Sequence, residues 1–438
     1  MMKDRLFALF LLGLLLLVRP VSASEGMRHL KDLEGNPLFV RSMTVWTLSS
    51  DYTEAEVREL LTKVQQMGYN TILMSAVFGE IDHDIYQQAF RKDDILKPNK
   101  RYWRKVDHVV KMATEKGLYV VINPIWKRSL NEFIQRQGIT KCRKYGQWFA
   151  RKFAGNPRVM YFIGGDQVPE PVRKEMNAMG EGIQDVYKGK AIVAYHSEGS
   201  QSSREAFPDA GWLTFNWTYA YTPAYHFEGK PRYPYEMNYD NVKTFGDLPI
   251  QFGEGYYDFG TAKRYNREGV SGRWGNRYVV RRQMWWNFLS GASGIAYGAE
   301  SVWHKNRDGQ TWQQCLDYAS CKDMRYLKAV TDSCQWWKLV PDMEHRFLTN
   351  CEDKYLTDQY PTAAIANDGS FAIVYTPVSL QLVIHLPDDS HFTLRWYDPS
   401  DGTSYPATGY DLKGNTLTIK SPVANHSGAQ DMVMMIWK

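Results

Sequence analysis

The chain has 438 residues, of which 44% are hydrophobic, 14% aromatic and 23% charged. A chain of this length forms two or three domains, and its ordinary composition excludes disordered, collagen-like and coiled-coil architectures. The net charge of +5 is too small to indicate a nucleic-acid partner, and no dense basic patch is present.

The amino-terminal segment predicts export. Lys3 and Arg5 precede an unbroken apolar run over residues 6–18, and Val21-Ser22-Ala23 supplies the small residues that a signal peptidase requires. The run is shorter than the roughly 18 residues that span a bilayer. We therefore predict a signal peptide over residues 1–23. The mature protein should be periplasmic or secreted, without a membrane anchor after cleavage.

Extended apolar runs then alternate with amphipathic helical patterns. The strand patterns are 43–48, 70–78, 118–126, 159–163, 191–195, 212–217, 250–253 and 294–297. The helical patterns are 53–67, 103–115, 141–153, 172–187, 235–243, 278–289 and 323–337, the first with Thr53 as its N-cap and Gly68 as its stop. Eight such units over residues 24–346 predict an α/β fold, a closed (β/α)8 TIM barrel. The alternative, an open doubly wound sheet, lacks a glycine-rich phosphate loop after the first strand.

After residue 346 the pattern changes to short strands without helices. The strand patterns are 363–366, 371–376, 380–386, 392–397, 417–419 and 432–437. Turn signals such as Asp368-Gly369 and Asp401-Gly402 separate them. The spacing predicts a small all-β sandwich domain over residues 347–438.

Cysteine and histidine positions give no motif for a metal or redox site. The motifs C-x-x-C, H-E-x-x-H and G-x-x-x-x-G-K are all missing from the sequence. The five cysteines are Cys142, Cys315, Cys321, Cys334 and Cys351. Export permits disulfides, with at least one thiol left over. We interpret Asp82-His83-Asp84 as a solvated turn, and we expect neither a metal nor a cofactor.

Two acids end predicted strands beside glycines. The strand 159–163 leads into Gly164-Gly165-Asp166, and the strand 250–253 leads into Glu254. Since active sites of these barrels lie at the carboxyl ends of the strands, Asp166 and Glu254 should face each other across the mouth. Glycoside hydrolysis requires such a pair, one acid as proton donor and the other as nucleophile or base. The structural alternative is that Asp166 caps a helix and Glu254 pairs with an arginine.

Residues at other predicted strand ends supply the wall of the pocket. Trp and Tyr combine a flat apolar face with a polar edge, which suits a sugar ring, although core packing accounts for many of them. The candidate substrate-binding residues are Trp46, Asn123, Trp126, His196, Asn216, Trp217, Tyr256, Tyr297, Glu300 and Trp303. An esterase dyad at His196-Ser197 is a weaker alternative, because the chain has no G-x-S-x-G motif.

Several of these motifs resemble those of a known family. They are FIGGD (162–166), HSEGSQSS (196–203), Gly253-Glu254 and VVRRQMWWNFLSGASGIAYGAESVW (279–303). Together they resemble glycoside hydrolase family 140, the apiosidase-like bacterial barrels with a small carboxyl-terminal β domain that is often described as collagen-binding. The resemblance covers nearly the whole mature chain. It implies a retaining hydrolase with Asp166 as acid/base and Glu254 as nucleophile.

The sequence departs from this family where sugar contacts are expected. Ser42-Met43 replaces a usual Gly-Asp, Ala299-Glu300 replaces paired histidines, and the usual Gln and His are missing around residues 219–222. The resemblance therefore implies retained catalytic groups and a remodelled sugar subsite, and apiose is not carried over as substrate. We predict a retaining glycoside hydrolase that acts on a plant or host glycan. The alternatives are a glycan-binding protein without turnover and a matrix-binding protein that uses the β domain.

Overall fold

The structure is a computed structural model that describes residues 26–224, 230–258, 270–271, 274–306, 309–388 and 391–438. The predicted signal peptide, residues 1–23, lies outside these ranges. Among the helices within them, none is both long and apolar enough to cross a bilayer. All five cysteines are described, and each carries a free thiol.

Eight parallel strands form a sheet that curls into a nearly closed barrel. They are β1 (Val40–Thr44), β2 (Thr71–Ser75), β3 (Tyr119–Asn123), β4 (Val159–Gly164), β5 (Val193–His196), β6 (Asn216–Tyr219), β7 (Ile250–Glu254) and β8 (Ala292–Tyr297). Neighbours in the order β5-β4-β3-β2-β1-β8-β7-β6 are hydrogen-bonded, and β5 lies beside β6 at the seam. The strands are apolar along both faces because one faces the barrel interior and the other the helices. The predicted (β/α)8 fold is confirmed.

Helices follow the strands around the barrel. The longer ones are α1 (Glu54–Gln66), α2 (Lys100–Glu115), α3 (Lys127–Phe153), α4 (Arg173–Tyr187), α5 (Pro234–Thr244), α6 (Arg277–Leu289) and α7 (Ala319–Ser333). Short helical turns occur at Ile85–Ala89, Ser203–Ala206, Glu300–Trp303, Trp312–Leu316, Trp336–Lys338 and Glu352–Lys354. The predicted N-cap of α1 is confirmed: the Thr53 N–H donates to Glu56 Oε2 (2.8 Å), and the Thr53 hydroxyl accepts from the Glu56 N–H.

Pairs of two-residue strands add to the barrel at two points. Leu30–Lys31 pairs with Pro37–Leu38 before β1. After β7, Trp274–Gly275 pairs with both Tyr257–Asp258 and Val270–Ser271. The second group extends the chain beyond the carboxyl end of β7, which is the end that carries Glu254.

The carboxyl-terminal region forms two antiparallel sheets. Its strands are β9 (Leu339–Pro341), β10 (Thr362–Ala366), β11 (Phe371–Thr376), β12 (Gln381–His385), β13 (Thr393–Tyr397), β14 (Ser404–Pro406), β15 (Asp411–Lys413), β16 (Thr416–Lys420) and β17 (Met432–Trp437). One sheet has the order β9-β10-β11-β17-β13-β14 and the other β12-β16-β15. Since β9 pairs with β10, the β domain begins at Leu339, on the barrel side of the predicted boundary at residue 347.

The larger sheet uses its two faces for different contacts. In β11, Ala372 and Val374 belong to the apolar core between the two sheets, whereas Ile373 and Tyr375 belong to the core shared with the barrel. The Tyr375 ring stacks on Trp285 of α6, with ring centroids 6.0 Å apart. The β domain is therefore packed directly against the helix that follows β7.

Candidate active site

Asp166 and Glu254 lie at the carboxyl ends of β4 and β7, at the mouth of the barrel. A carboxylate oxygen of Asp166 lies within 4.8 Å of one of Glu254. Glu254 is buried, and Asp166 is partly buried. Asp166 Oδ1 has no hydrogen-bond partner among the described residues, although solvent does not reach it. The two acids therefore face each other in a site that is largely closed to solvent.

Two glycines let the chain turn from β4 to Asp166. The φ angles of Gly164, Gly165 and Asp166 are 97°, 133° and 50°, all in the region that favours glycine. A Cβ atom on Gly165 would lie 2.5 Å from the Trp126 ring, and one on Gly164 would lie 2.5 Å from the His196 carbonyl oxygen. Asp166 itself is held in a conformation that costs a non-glycine residue about 1 kcal/mol or more.

Gly253 makes room for an indole ring beneath Glu254. A Cβ atom on Gly253 would lie only 1.8 Å from Trp217. Trp217 is fully buried, stacks on Phe162 at a centroid distance of 5.0 Å and contacts the His196 ring edge-on at 5.1 Å. This aromatic layer fills the barrel interior and forms the floor beneath the acids.

His196 joins the two acids. The Asp166 N–H donates to His196 Nδ1 (3.1 Å), and His196 Nε2 lies 2.9 Å from Glu254 Oε2. A ring nitrogen that accepts a hydrogen bond carries no proton, so the proton of the neutral imidazole is on Nε2 and is donated to Glu254. Burial lowers the pKa of His196 to about 4, although the charge of Asp166 acts against this shift. His196 is therefore neutral at neutral pH.

Asp166 has the protonation behaviour of a general acid. Loss of solvent, together with the negative charge of Glu254, raises the pKa of its carboxyl to about 8. Glu80 adds to this increase, whereas His196 and Arg128 oppose it. Asp166 therefore holds a proton at neutral pH, as a group that protonates a leaving oxygen must.

The loop after Glu254 is held by α6. Gln283 Oε1 accepts from the Tyr256 N–H (2.8 Å), and Gln283 Nε2 donates to the Tyr256 carbonyl oxygen (3.0 Å). The Tyr256 hydroxyl pairs with Thr222 Oγ1 at 2.6 Å. Two residues beyond Glu254, both the backbone and the side chain are thus fixed.

A cleft of about 430 Å³ opens onto the two acids. It is lined by Trp46, Phe78, Glu80, Ile81, Trp126, Arg128, Asp166, Glu254, Tyr257, Trp303 and His304. The three indole N–H groups are engaged, from Trp46 to the Tyr257 hydroxyl, from Trp126 to Glu80 and from Trp303 to Glu300, each at 3.0 Å. These bonds fix the orientation of the three rings around the acids.

The structure brings Trp46, Trp126 and Trp303 into this cleft, as the sequence predicts, but it places other predicted wall residues behind it. Asn123 Nδ2 donates to the Gly164 carbonyl oxygen (2.9 Å) and so supports the turn before Asp166. Tyr297 donates to Asp258 at 2.7 Å. The residues that do not line the cleft are Asn123, His196, Asn216, Trp217, Tyr256, Tyr297 and Glu300.

Asn216 lies at the opposite end of the barrel. The predicted strand 212–217 is wrong in its bounds, because β6 begins at Asn216 instead of ending at Trp217. The apolar residues Trp212, Leu213 and Phe215 are buried in the irregular segment before β6 and do not pair as a strand. Asn216 Nδ2 donates to Asn241 Oδ1 (2.8 Å), a contact with α5 far from the acids.

Several cleft residues are not among the predicted ones. They are Phe78, Glu80, Ile81, Arg128, Tyr257 and His304. Three of them directly follow or nearly follow a predicted wall residue in the chain: Arg128 after Trp126, Tyr257 after Tyr256 and His304 after Trp303.

The serines that follow His196 bond to other groups. Ser197, next to His196 in the chain, donates to Gln201 Oε1. Ser203 Oγ donates to the Tyr195 carbonyl oxygen (2.7 Å) and accepts from the N–H groups of Tyr195 and Trp217. Ser202 caps the short helix Ser203–Ala206. Since both ring nitrogens of His196 are bonded to Asp166 and Glu254, His196 does not activate a serine.

Asp166, His196 and Glu254 are close enough together to bind a metal ion. The donor set does not fit this role, because both imidazole nitrogens are already engaged in hydrogen bonds. A second cluster in the β domain consists of Asp398, Asp401 and His426. The Asp398 carboxylate of this cluster accepts from the backbone N–H groups of Ser400 and His426. It therefore stabilises turns within the β domain.

Comparison with known proteins identifies the family and the fold. The family model for the apiosidase-like catalytic domain matches residues 24–338. A solved glycoside hydrolase is 19% identical, with a TM-score of 0.77 over 96% of this chain and 98% of that chain. A glycoside hydrolase family 5 structure from Bacteroides vulgatus is 20% identical, with a TM-score of 0.75 over 96% and 94%. No curated protein sequence matches. The chain belongs to the apiosidase-like family and has the fold of a glycoside hydrolase.

Proposed function

We propose that this protein is a retaining glycosidase in which Asp166 is the acid/base and Glu254 the nucleophile. The observation that carries the proposal is that a carboxylate oxygen of Asp166 lies within 4.8 Å of one of Glu254. Retaining sites hold the two carboxyl groups about 5–5.5 Å apart, whereas inverting sites leave about 6.5–9.5 Å for a water molecule. The short separation favours direct attack by Glu254.

In the first step, Glu254 attacks the anomeric carbon while the bond to the leaving oxygen breaks. Asp166 gives its proton to that oxygen, and a covalent glycosyl ester forms on Glu254. The ester removes the negative charge of Glu254, which is one of the causes that raise the pKa of Asp166. The pKa of Asp166 therefore falls once the ester has formed, so that Asp166 is ionised and can act as the base of the second step.

In the second step, Asp166 takes a proton from water, and the water oxygen attacks the anomeric carbon. The ester bond breaks, Glu254 leaves as a carboxylate, and Asp166 is protonated again. Two inversions at the anomeric carbon restore its original configuration. The sugar product is released, and the enzyme, with Glu254 ionised and Asp166 protonated, can begin another cycle.

The proposed substrate is a carbohydrate of a plant or host glycan, reached after export. The cleft of about 430 Å³ holds three fixed indole rings beside the acids. Indole rings bind the apolar faces of sugars, and polar side chains such as Glu80, Arg128 and His304 are placed to bind hydroxyl groups. Export is proposed from the amino-terminal sequence, since residues 1–23 have the pattern of a signal peptide.

The purified protein should be screened against aryl glycosides and plant and host glycans, and the first-formed product followed by proton NMR. We expect the anomeric configuration to be retained, and an inverted product would refute the assignment of Glu254 as nucleophile. Glu254→Gln should lower the rate on every substrate by several orders of magnitude. EDTA should leave the rate of the wild type unchanged.

Asp166→Asn provides the matched comparison. The first step should survive on dinitrophenyl glycosides, because an activated phenol leaves without a proton. The glycosyl ester should then accumulate, and azide should restore turnover. Equal losses for both variants on all leaving groups, without an azide effect, would place the acid/base elsewhere. Glu198 and Glu300 would be the next carboxylates to replace. Sugar binding without turnover in the wild type would indicate a glycan-binding protein.

A further inference from the structure

The His196 ring contacts both proposed catalytic acids but takes no part in the two steps above. Its ring is fully buried between β4, β6 and β7 and is surrounded by aromatic side chains. Tyr219 stacks on one face at 5.2 Å, with the ring planes 21° apart, and Trp217 and Trp126 pack at 5.1 and 5.3 Å. This packing fixes where both ring nitrogens point.

The hydrogen bonds determine which nitrogen carries the proton. A backbone N–H can only donate, so the Asp166 N–H requires His196 Nδ1 to be an acceptor. The remaining proton on Nε2 then points to Glu254 Oε2 at 2.9 Å. The titratable groups that face the ring are Asp166 from β4, Glu254 from β7 and Tyr219 from β6. Glu80 and Arg128 act on the Asp166 side of the cleft.

We propose that His196 is a positioning residue that holds Glu254 for attack as a neutral hydrogen-bond donor, while its other nitrogen holds the backbone of Asp166. This inference rests on the proposed function. One ring then positions both acids. Nε2 fixes one carboxylate oxygen of Glu254, and Nδ1 fixes the strained turn that carries Asp166.

Neutrality is the important property of this donor. A cationic side chain at the same place would neutralise Glu254 and weaken it as a nucleophile. It would also remove the negative charge that helps to keep the proton on Asp166. A neutral N–H orients Glu254 and leaves that charge in place. The two acids can then stay in opposite protonation states at the same pH.

Two substitutions separate the two bonds of the ring. The amide of Gln reaches the position of Nε2, so His196→Gln keeps a donor to Glu254. The amide of Asn reaches only the position of Nδ1, so His196→Asn keeps an acceptor for the Asp166 N–H and loses the donor. We expect His196→Asn to lower kcat/KM on dinitrophenyl glycosides by about 100-fold, the size seen when one preorganised donor is lost. His196→Gln should recover most of that loss.

Dinitrophenyl glycosides make the test specific, because they need no proton from Asp166 and report the nucleophile alone. The same substitutions at the exposed His108 serve as controls and should leave the rate unchanged. The alkaline limb of the pH profile, measured on substrates with poor leaving groups, should stay close to that of the wild type in His196→Gln. Equal rate losses for the Asn and Gln variants, with equal losses of thermal stability, would show a purely structural role and overturn the inference.

Long-range proton–nitrogen NMR of histidine-labelled protein gives a readout that does not depend on activity. We expect His196 to remain in the neutral Nε2–H form from pH 5.5 to about 8. An active wild type with His196 protonated at Nδ1, or at both nitrogens, would overturn the inference. A wild type that shows the Nε2–H form and cleaves no glycoside would instead refute the proposed function.

Discussion

Two groups of buried charges in the described residues are arranged in opposite ways. At the barrel mouth, the neutral His196 donates to Glu254 and accepts from the Asp166 backbone N–H, and one carboxylate oxygen of Asp166 has no protein partner among those residues. Between α6 and the β domain, Arg281 bonds Asp431 through two nitrogens at 2.6 and 2.8 Å. Asp323 accepts from Arg281 and also from Arg277, which lies on the same helix.

The difference shows what a buried charge does in each place. Burial alone would lower the pKa of Arg281, but the negative charge of Asp431 raises it overall, so the guanidinium stays ionised and joins the two domains. At the mouth, burial and a like charge raise the pKa of Asp166, which keeps a proton on this carboxyl at neutral pH and makes the folded state less favourable when it ionises. Complete pairing stabilises the interface, whereas incomplete pairing raises the pKa of the carboxyl that we propose as the acid/base.

Breaking the paired group should have the largest effect on stability. Arg281→Met leaves Asp431 and Asp323 buried without their shared partner, so we expect the free energy of unfolding to fall by about 3–5 kcal/mol. Urea denaturation measures this loss. The control is Arg58→Met, which removes an exposed pair with Glu54 and should cost less than about 0.5 kcal/mol. Similar losses of unfolding free energy for Arg281→Met and Arg58→Met would show that the buried pairs do not stabilise the domain interface.

Overpacking the mouth should have the next largest effect. In Gly253→Ala the new methyl group would lie 1.8 Å from Trp217, so the ring or Glu254 must move. We expect a loss of about 1–3 kcal/mol in unfolding free energy together with a fall in kcat. Gly155→Ala is the matched control, because a Cβ atom there meets nothing within 4 Å. An active, fully stable Gly253→Ala variant would show that Trp217 does not fix the floor of the site.

Removing the incompletely paired charge should stabilise the protein. The pKa of Asp166 is raised to about 8, well above the ~3.9 of an unfolded chain, so the folded state binds the extra proton between these values. The contribution of this proton to the free energy of unfolding is fully present below about pH 4 and is lost as the pH rises through about 8. Asp166→Asn has no such loss. We expect it to be more stable than the wild type by about 1–3 kcal/mol near pH 8 and to differ least near pH 4.

Thermal unfolding at pH 4, 6 and 8 checks this dependence. Asp209→Asn, a substitution of an exposed carboxylate, is the control and should behave like the wild type. If Asp166→Asn is destabilised at all three pH values, the carboxyl must gain a partner that offsets its burial.

The smallest expected effect is a shift of the alkaline limb. Glu80 lines the cleft and helps to raise the pKa of Asp166, so Glu80→Gln should lower that pKa. With poor leaving groups, kcat/KM should therefore begin to fall at a lower pH than the wild-type value of about 8. The exposed Glu132→Gln should leave the profile unchanged. If the alkaline limb of Glu80→Gln lies at the wild-type pH, burial and the charge of Glu254 alone account for the raised pKa of Asp166.

The fold could be predicted because parallel strands buried on both faces leave apolar runs between helical patterns. Even so, the predicted helix 141–153 covers only the second half of α3, since Gly138 at φ 73° interrupts the helical pattern. The predicted strand 212–217 is displaced because Trp212, Leu213 and Phe215 are buried in an irregular segment before β6. Apolar periodicity reports burial, and it does not separate a buried turn from a strand.

The two facing acids could be predicted because a barrel brings all strand ends to one mouth. The loop residues Glu80 and Arg128 could not, since their positions depend on the path of loops that have no periodicity. His196 was predicted as a wall residue but lies behind Glu254. Its place depends on how neighbouring rings pack around it, which only the tertiary structure determines.

The amide of Gln283 on the Tyr256 backbone has a consequence for truncation and domain exchange. Gln283 is two residues from Arg281 on α6, and the same helix donates from Trp286 Nε1 to the Tyr360 carbonyl oxygen (2.8 Å). A shortened chain that ends at residue 338 would lose both anchors of the helix that steadies the segment after Glu254. The β domain thus supports the helix that holds the segment after Glu254, so replacing it with a foreign module should change the position of this carboxylate.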